Sequence, residues 1–195
     1  MNINKIIYLS HYEPDAGEGF LWLGLTELLG CENIIDFPRK AMYHGEIEQR
    51  WGYQSPAPYY PAIAQPDYTV HDIARMIDTF DLMICSSSRA QAIRALLELH
   101  RLCGDKLPPL VVCDHQDESN WTMPPCPDSI YSCLPPLGGD FNEWNKTKGV
   151  FYLNTLEYYN LSKRLGAKLF FKRELLPEWR LPDVYPLPMA FPLSA

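Results

Sequence analysis

The residues best suited to chemistry are the acids that end the run Leu110-Val-Val-Cys-Asp-His-Gln-Asp-Glu118, where an apolar stretch breaks into Asp114, His115, Asp117 and Glu118. Crowded carboxylates raise the proton affinity of one member, which makes it a usable general base near neutral pH. Asp114, Asp117 and Glu118 are therefore the candidate catalytic residues. The structural alternative is a solvated loop whose acids cap the next turn. Two or three carboxylates without an Asp-x-Asp core do not specify a divalent ion, and neither a metal nor a cofactor is expected.

Three further stretches offer groups that a ligand would use. His11-Tyr-Glu-Pro-Asp-Ala-Gly-Glu-Gly19 follows the apolar run Lys5 to Ser10, and its glycines allow backbone N–H groups to approach a phosphate or sugar oxygen. Trp22 stands where the third glycine of a dinucleotide fingerprint would be, so that chemistry is weakly supported. Ser86-Ser-Ser88 presents hydroxyls at a strand end, or simply caps the next helix. Lys172-Arg-Glu174 follows the run Lys168 to Phe171, and neighbours on a strand point to opposite faces, so at most one of the two cations serves a site directly. The expected substrate-binding set is His11, Asp15, Gly17, Gly19, Ser86, Ser87, His115, Lys172, Arg173 and Glu174.

These groups converge only if the elements before them form a parallel sheet. Runs at Lys5 to Ser10, Asn33 to Phe37, Phe80 to Cys85, Leu110 to Cys113 and Lys168 to Phe171 read as buried strands. Helical spacing over Phe20 to Leu29, Arg89 to Cys103 and Asn154 to Leu165, each closed by a glycine, and a shorter helix from an N-cap at Thr69, fall between them. Strand-helix alternation predicts an α/β, Rossmann-like three-layer lobe with a mostly parallel sheet of five or six strands and helices on both faces. In such a fold ligands bind outside the carboxyl ends of the strands. Residues 1–183 are expected to form one domain, and the Pro-rich tail 184–195 suits an edge strand or the start of a linker. The aromatic, Pro-rich stretch between Pro38 and Tyr68 reads either as a lip that stacks on a sugar or as an excursion packed on the sheet edge.

Composition narrows the classes. With 195 residues, 47% of them hydrophobic and 21% charged, the chain can build a full core. A net charge of −7 without a basic run argues against nucleic acid. The first apolar run is too short for a signal segment and no stretch is long enough for a membrane span, so a cytoplasmic protein without a transmembrane segment is expected. The six cysteines contain no Cys-x-x-Cys pair and read as free, mostly buried thiols.

Ile35-Asp-Phe-Pro-Arg39 with Met42 and Tyr43, the acidic Asp114 to Glu118, and Phe170-Phe-Lys-Arg-Glu-Leu175 ahead of Tyr185-Pro-Leu-Pro188 together resemble a bacterial group of glycosyltransferase-like proteins. The resemblance covers most of the chain through short motifs. It implies the amino-terminal, acceptor-side lobe of a GT-B fold, which transfers a sugar from a nucleotide-sugar co-substrate held by a second Rossmann-like lobe to the hydroxyl of a small-molecule or glycan acceptor. It also implies that Asp114 or Asp117 deprotonates the acceptor, that Glu118 tunes that acid, and that Lys172 or Arg173 contacts phosphate or holds the acids. A non-catalytic ligand-binding or partner-docking lobe needs nothing further from the sequence and is the alternative.

Overall fold

The computed structural model describes residues 2–12, 15–45, 64–115, 153–173 and 181–187. Six strands form one sheet: β1 (Ile6–Leu9), β2 (Ile34–Phe37), β3 (Leu82–Cys85), β4 (Leu110–Asp114), β5 (Leu169–Lys172) and β6 (Val184–Pro186). All pairings are parallel, in the order β2-β1-β3-β4-β5-β6. β1 pairs Ile7 with Ile35 on one side and with Met83 on the other. A strand in that position is covered on both faces, which is why its run is apolar without alternation. β6 takes the edge, where Pro186 has no ladder hydrogen bond to lose on its outer side.

Among the described residues four α-helices connect the strands: α1 (Ala16–Leu29), α2 (Val70–Arg75), α3 (Ala90–Cys103) and α4 (Thr155–Arg164). The chain steps outward from β1 to β2, then returns across β1 to β3 and continues in the opposite direction. Right-handed crossovers must then put α1 on one face and the later helices on the other. The two cores follow this division. Ile7, Leu9, Met83 and Val112 pack with Ile73, Ile93, Leu96 and Tyr158 from α2, α3 and α4. Ile6, Tyr8, Ile34 and Ile84 pack with Trp22 of α1 and with Tyr43 from the turn after β2. The three-layer α/β architecture expected from the sequence is thus observed.

Several boundaries differ from the sequence reading. α1 begins at Ala16 instead of Phe20, because the Asp15 carboxylate caps the helix by accepting from the Glu18 N–H at 2.9 Å. The helix after Thr69 stops at Arg75 and continues only as a 3₁₀ turn over Ile77–Thr79. The aromatic stretch after β2 is described only at its ends. There, Tyr43 is core: its ring stacks on Trp22 with centroids 4.9 Å apart. Residues 46–63 lie outside the described residues. Cys85 and Cys113 are buried, and burial pushes the Cys85 thiol up to about 12. Among the described residues no helix is long and apolar enough to cross a membrane.

Candidate functional site

Because the strand order reverses between β1 and β3, the connections leaving these two strands diverge at their carboxyl ends, the place where open α/β sheets bind ligands. The residues that follow the strands there are polar and buried: Ser10 and His11 after β1, Lys40 after β2, Ser86 to Ser88 after β3, Asp114 and His115 at the end of β4, and Lys172 at the end of β5. Buried charges survive only when paired and hydrogen-bonded. Their partners define the site.

Glu18, in the first turn of α1, is the hub. Its carboxylate takes Lys40 Nζ at 2.8 Å on Oε2 and Ser86 Oγ at 2.6 Å on Oε1, and His11 Nδ1 lies 3.1 and 3.3 Å from Oε2 and Oε1. Its main-chain carbonyl accepts from the Tyr8 hydroxyl at 2.8 Å. Burial acts against the charged form of Glu18, but the His11 ring and the Lys40 ammonium, with the hydrogen bonds both make, outweigh it and hold the carboxyl well below the usual range. Lys40 also sits over the Tyr43 ring, 4.7 Å from its centroid.

The turn after β2 carries a second pair. Asp36 Oδ1 is 2.7 Å from His44 Nε2, and Asp36 Oδ2 accepts from the Lys40 backbone N–H at 2.6 Å. Gln65 brackets the Asp36 main chain by accepting from its N–H and donating to its carbonyl. The amide so satisfies an edge strand that has no neighbour on that side among the described residues.

Asp114 is fully buried and engaged. Its Oδ2 accepts from Thr155 Oγ1 at 2.8 Å and lies 3.6 Å from Lys172 Nζ, and its carbonyl accepts from the Arg173 N–H. His115 packs against Gly17 of α1 so closely that a Cβ there would stand 2.6 Å from Nδ1. Burial lowers the proton affinity of His115 more than the carboxylates of Glu18, Asp15 and Asp114 raise it, which favours the neutral ring. The Nε2 atoms of both His11 and His115 are buried without a hydrogen-bond partner. Orphaned nitrogens of this kind mark a place where a ligand or a water belongs.

The structure gathers His11, Asp15, Gly17, Ser86, Asp114, His115 and Lys172 along this rim. It assigns others to local structure. The Gly19 N–H bonds the Asp15 carbonyl at 2.9 Å inside α1 and so does not face a ligand, and Ser87 Oγ accepts from the Arg89 N–H at the start of α3. Asp117, Glu118 and Glu174 lie outside the described residues. Sequence reasoning missed Glu18, Asp36, Lys40, His44 and Thr155 as site residues. The available signal was an acid three positions into a capped helix directly after a buried strand. Among the described residues no group of three His, Cys, Asp or Glu side chains could hold a metal ion.

What the rim can do chemically follows from the His11–Glu18 pair. A carboxylate that accepts from Nδ1–H fixes the ring orientation and leaves Nε2 as the proton acceptor, the arrangement a general base requires. No family model, curated protein or solved structure matches the chain, so the functional reading rests on this geometry and on the motifs in the sequence.

Proposed function

We propose that the chain is the acceptor-binding lobe of a glycosyltransferase and that His11 takes the proton from the acceptor hydroxyl. The observation that carries this reading is the pair itself. His11 Nδ1 is held 3.1 Å from the Glu18 carboxylate, and its Nε2 is left without a partner at the carboxyl end of β1, beside the point where the strand order reverses.

In the proposed reaction the acceptor oxygen bonds to the anomeric carbon of the sugar as the nucleotide leaves with the bonding electrons. The hydroxyl proton passes to Nε2 of His11. The imidazolium so formed is stabilised by Glu18, whose charge is already in place. His115, neutral and buried, is placed to hydrogen-bond a hydroxylated ligand. Asp114, tied to Thr155 and faced by Lys172, holds the β4–β5 side of the rim. The nucleotide sugar would be supplied by a second Rossmann-like lobe, and the reading implies a bacterial, cytoplasmic protein.

One observation favours a different reading. His11 is only 3% exposed, as a purely structural brace in a non-catalytic binding or docking lobe would be. Nitrogen-15 spectra of the chain titrated with simple glycosides and, separately, with nucleotide sugars distinguish the two. The acceptor reading expects glycosides to shift the His11 and His115 resonances and nucleotide sugars to leave them in place. Donor binding by this lobe, or silence toward every glycoside, would sink it, the latter in favour of the docking lobe.

A further inference from the structure

Helix α3 leaves the carboxyl end of β3 without the caps found on α1, α2 and α4. Asp15 caps α1, while Thr69 with Asp72 and Asn154 with Glu157 close capping boxes on α2 and α4. At α3 the residue before the helix is Arg89, whose side chain makes no cap bond, and the first turn holds no acid. The first helical hydrogen bond runs from the Ile93 N–H to the Arg89 carbonyl at 3.1 Å. The N–H groups of Gln91 and Ala92 precede that ladder and meet no acceptor among the described residues, although both residues are buried. Buried N–H groups are rarely left in this state.

Two side-chain amides at the same place also hold idle donors. Gln91 Nε2 and Asn154 Nδ2 are buried without a hydrogen-bond partner, on residues 4% and 5% exposed. Helical side chains lean toward the amino terminus, so the Gln91 amide is carried back over the start of α3. Asn154 gives its Oδ1 to the Glu157 N–H at 3.0 Å, which lays its amide across the start of α4. The two helix starts are fastened together. The Leu153 N–H, just before Asn154, donates to the Ser88 carbonyl, just before α3, at 2.9 Å, and the Tyr158 hydroxyl of α4 donates to the Cys85 carbonyl of β3 at 3.0 Å.

The idle atoms named here are all donors, so they suit a ligand built of acceptors, and the amino ends of helices favour one that is negatively charged. The acids on the α4 side are engaged elsewhere: Glu157 Oε2 accepts from the Asn154 N–H, and Asp114 Oδ2 accepts from Thr155. We propose that the joined amino termini of α3 and α4 form an oxyanion site, with the side-chain amides of Gln91 and Asn154 and the N–H groups of Gln91 and Ala92 as donors, and that its ligand carries a phosphate group. A phosphate presents acceptor oxygens on several sides and so can take donors from two helices at once. The site shares the rim with His11 but does not depend on His11 acting as a base.

Titration of the nitrogen-15-labelled chain with inorganic phosphate and, separately, with glucose 1-phosphate, at constant ionic strength, tests the assignment. The side-chain amide signals of Gln91 and Asn154 and the backbone amides of Gln91 and Ala92 should move saturably with a phosphate probe and stay in place with glucose or acetate. Response to both probes identifies phosphate itself as sufficient, and response to the ester alone makes a phosphorylated metabolite the source; either supports the site. Gln91→Met removes one donor, and Asn154→Asp removes the other while keeping an oxygen to cap α4. Each should weaken phosphate binding about tenfold or more. Unmoved signals with both phosphate probes, or an equal response to acetate, overturn the proposal from the wild-type chain alone. Folded variants that bind phosphate as the wild type does overturn it as well.

Discussion

The ring of His115 lies directly on the backbone of Gly17, so that a Cβ on Gly17 would stand 2.6 Å from Nδ1. The first turn of α1 and the residue after β4 therefore meet where only glycine fits. Gly17→Ala should displace the ring at an overpacking cost of about 1–3 kcal/mol, partly offset by the better helix propensity of alanine of about 1 kcal/mol. Urea unfolding and the His115 resonances together check this. Wild-type stability with unmoved His115 signals would mean that the contact is not tight.

Glu18 predicts acid sensitivity. Its folded-state proton affinity is held below the ordinary value of 4.5, so the unfolded chain binds the proton more readily. The stability that Glu18 contributes is complete above that value and is lost as the pH falls below it. Glu18→Gln leaves the buried Lys40 ammonium without its counter-charge and should cost about 3–5 kcal/mol at pH 7. It should also flatten the decline in unfolding free energy below pH 4.5. An unchanged acid limb in the variant would remove Glu18 as its cause.

His115 predicts a second, earlier limb. Burial holds its proton affinity below the ordinary 6.5, so again the unfolded chain takes up the proton first. Stability should be full above pH 6.5 and decline as the pH falls below it. His115→Gln, which cannot be protonated, should lack this decline while keeping the lower one. The two limbs are separated by comparing unfolding free energies of both variants from pH 7.5 to 3.

Thr155 predicts the state of Asp114. Its hydroxyl donates to Asp114 Oδ2 at 2.8 Å, and both side chains are buried. Thr155→Val keeps the shape and removes the donor, which should cost about 1–3 kcal/mol by leaving a buried acceptor short of a partner. Thr155→Ser should recover most of the loss. If valine and serine behave alike, the hydrogen bond contributes little and Asp114 is held by Lys172 instead.

The strands and their common rim were legible in the sequence for a definite reason. Strands covered on both faces, such as Ile6–Leu9 and Leu110–Asp114, carry continuous apolar runs, and a parallel sheet necessarily delivers its strand ends to one side. His11, Ser86, Asp114, His115 and Lys172 could therefore be named from position alone. What spacing cannot express is adjacency between loops. Glu18 and Lys40 are 22 residues apart and became partners because β2 packs outside β1, which brings the turn after β2 beneath the first turn of α1. Gly17 acquired its role from His115, which comes from the far side of β3. The amino acids by themselves determined the elements and the side of the sheet on which polar groups would collect. Only tertiary packing decided which carboxylate would receive the lysine, because that choice depends on strand order and register.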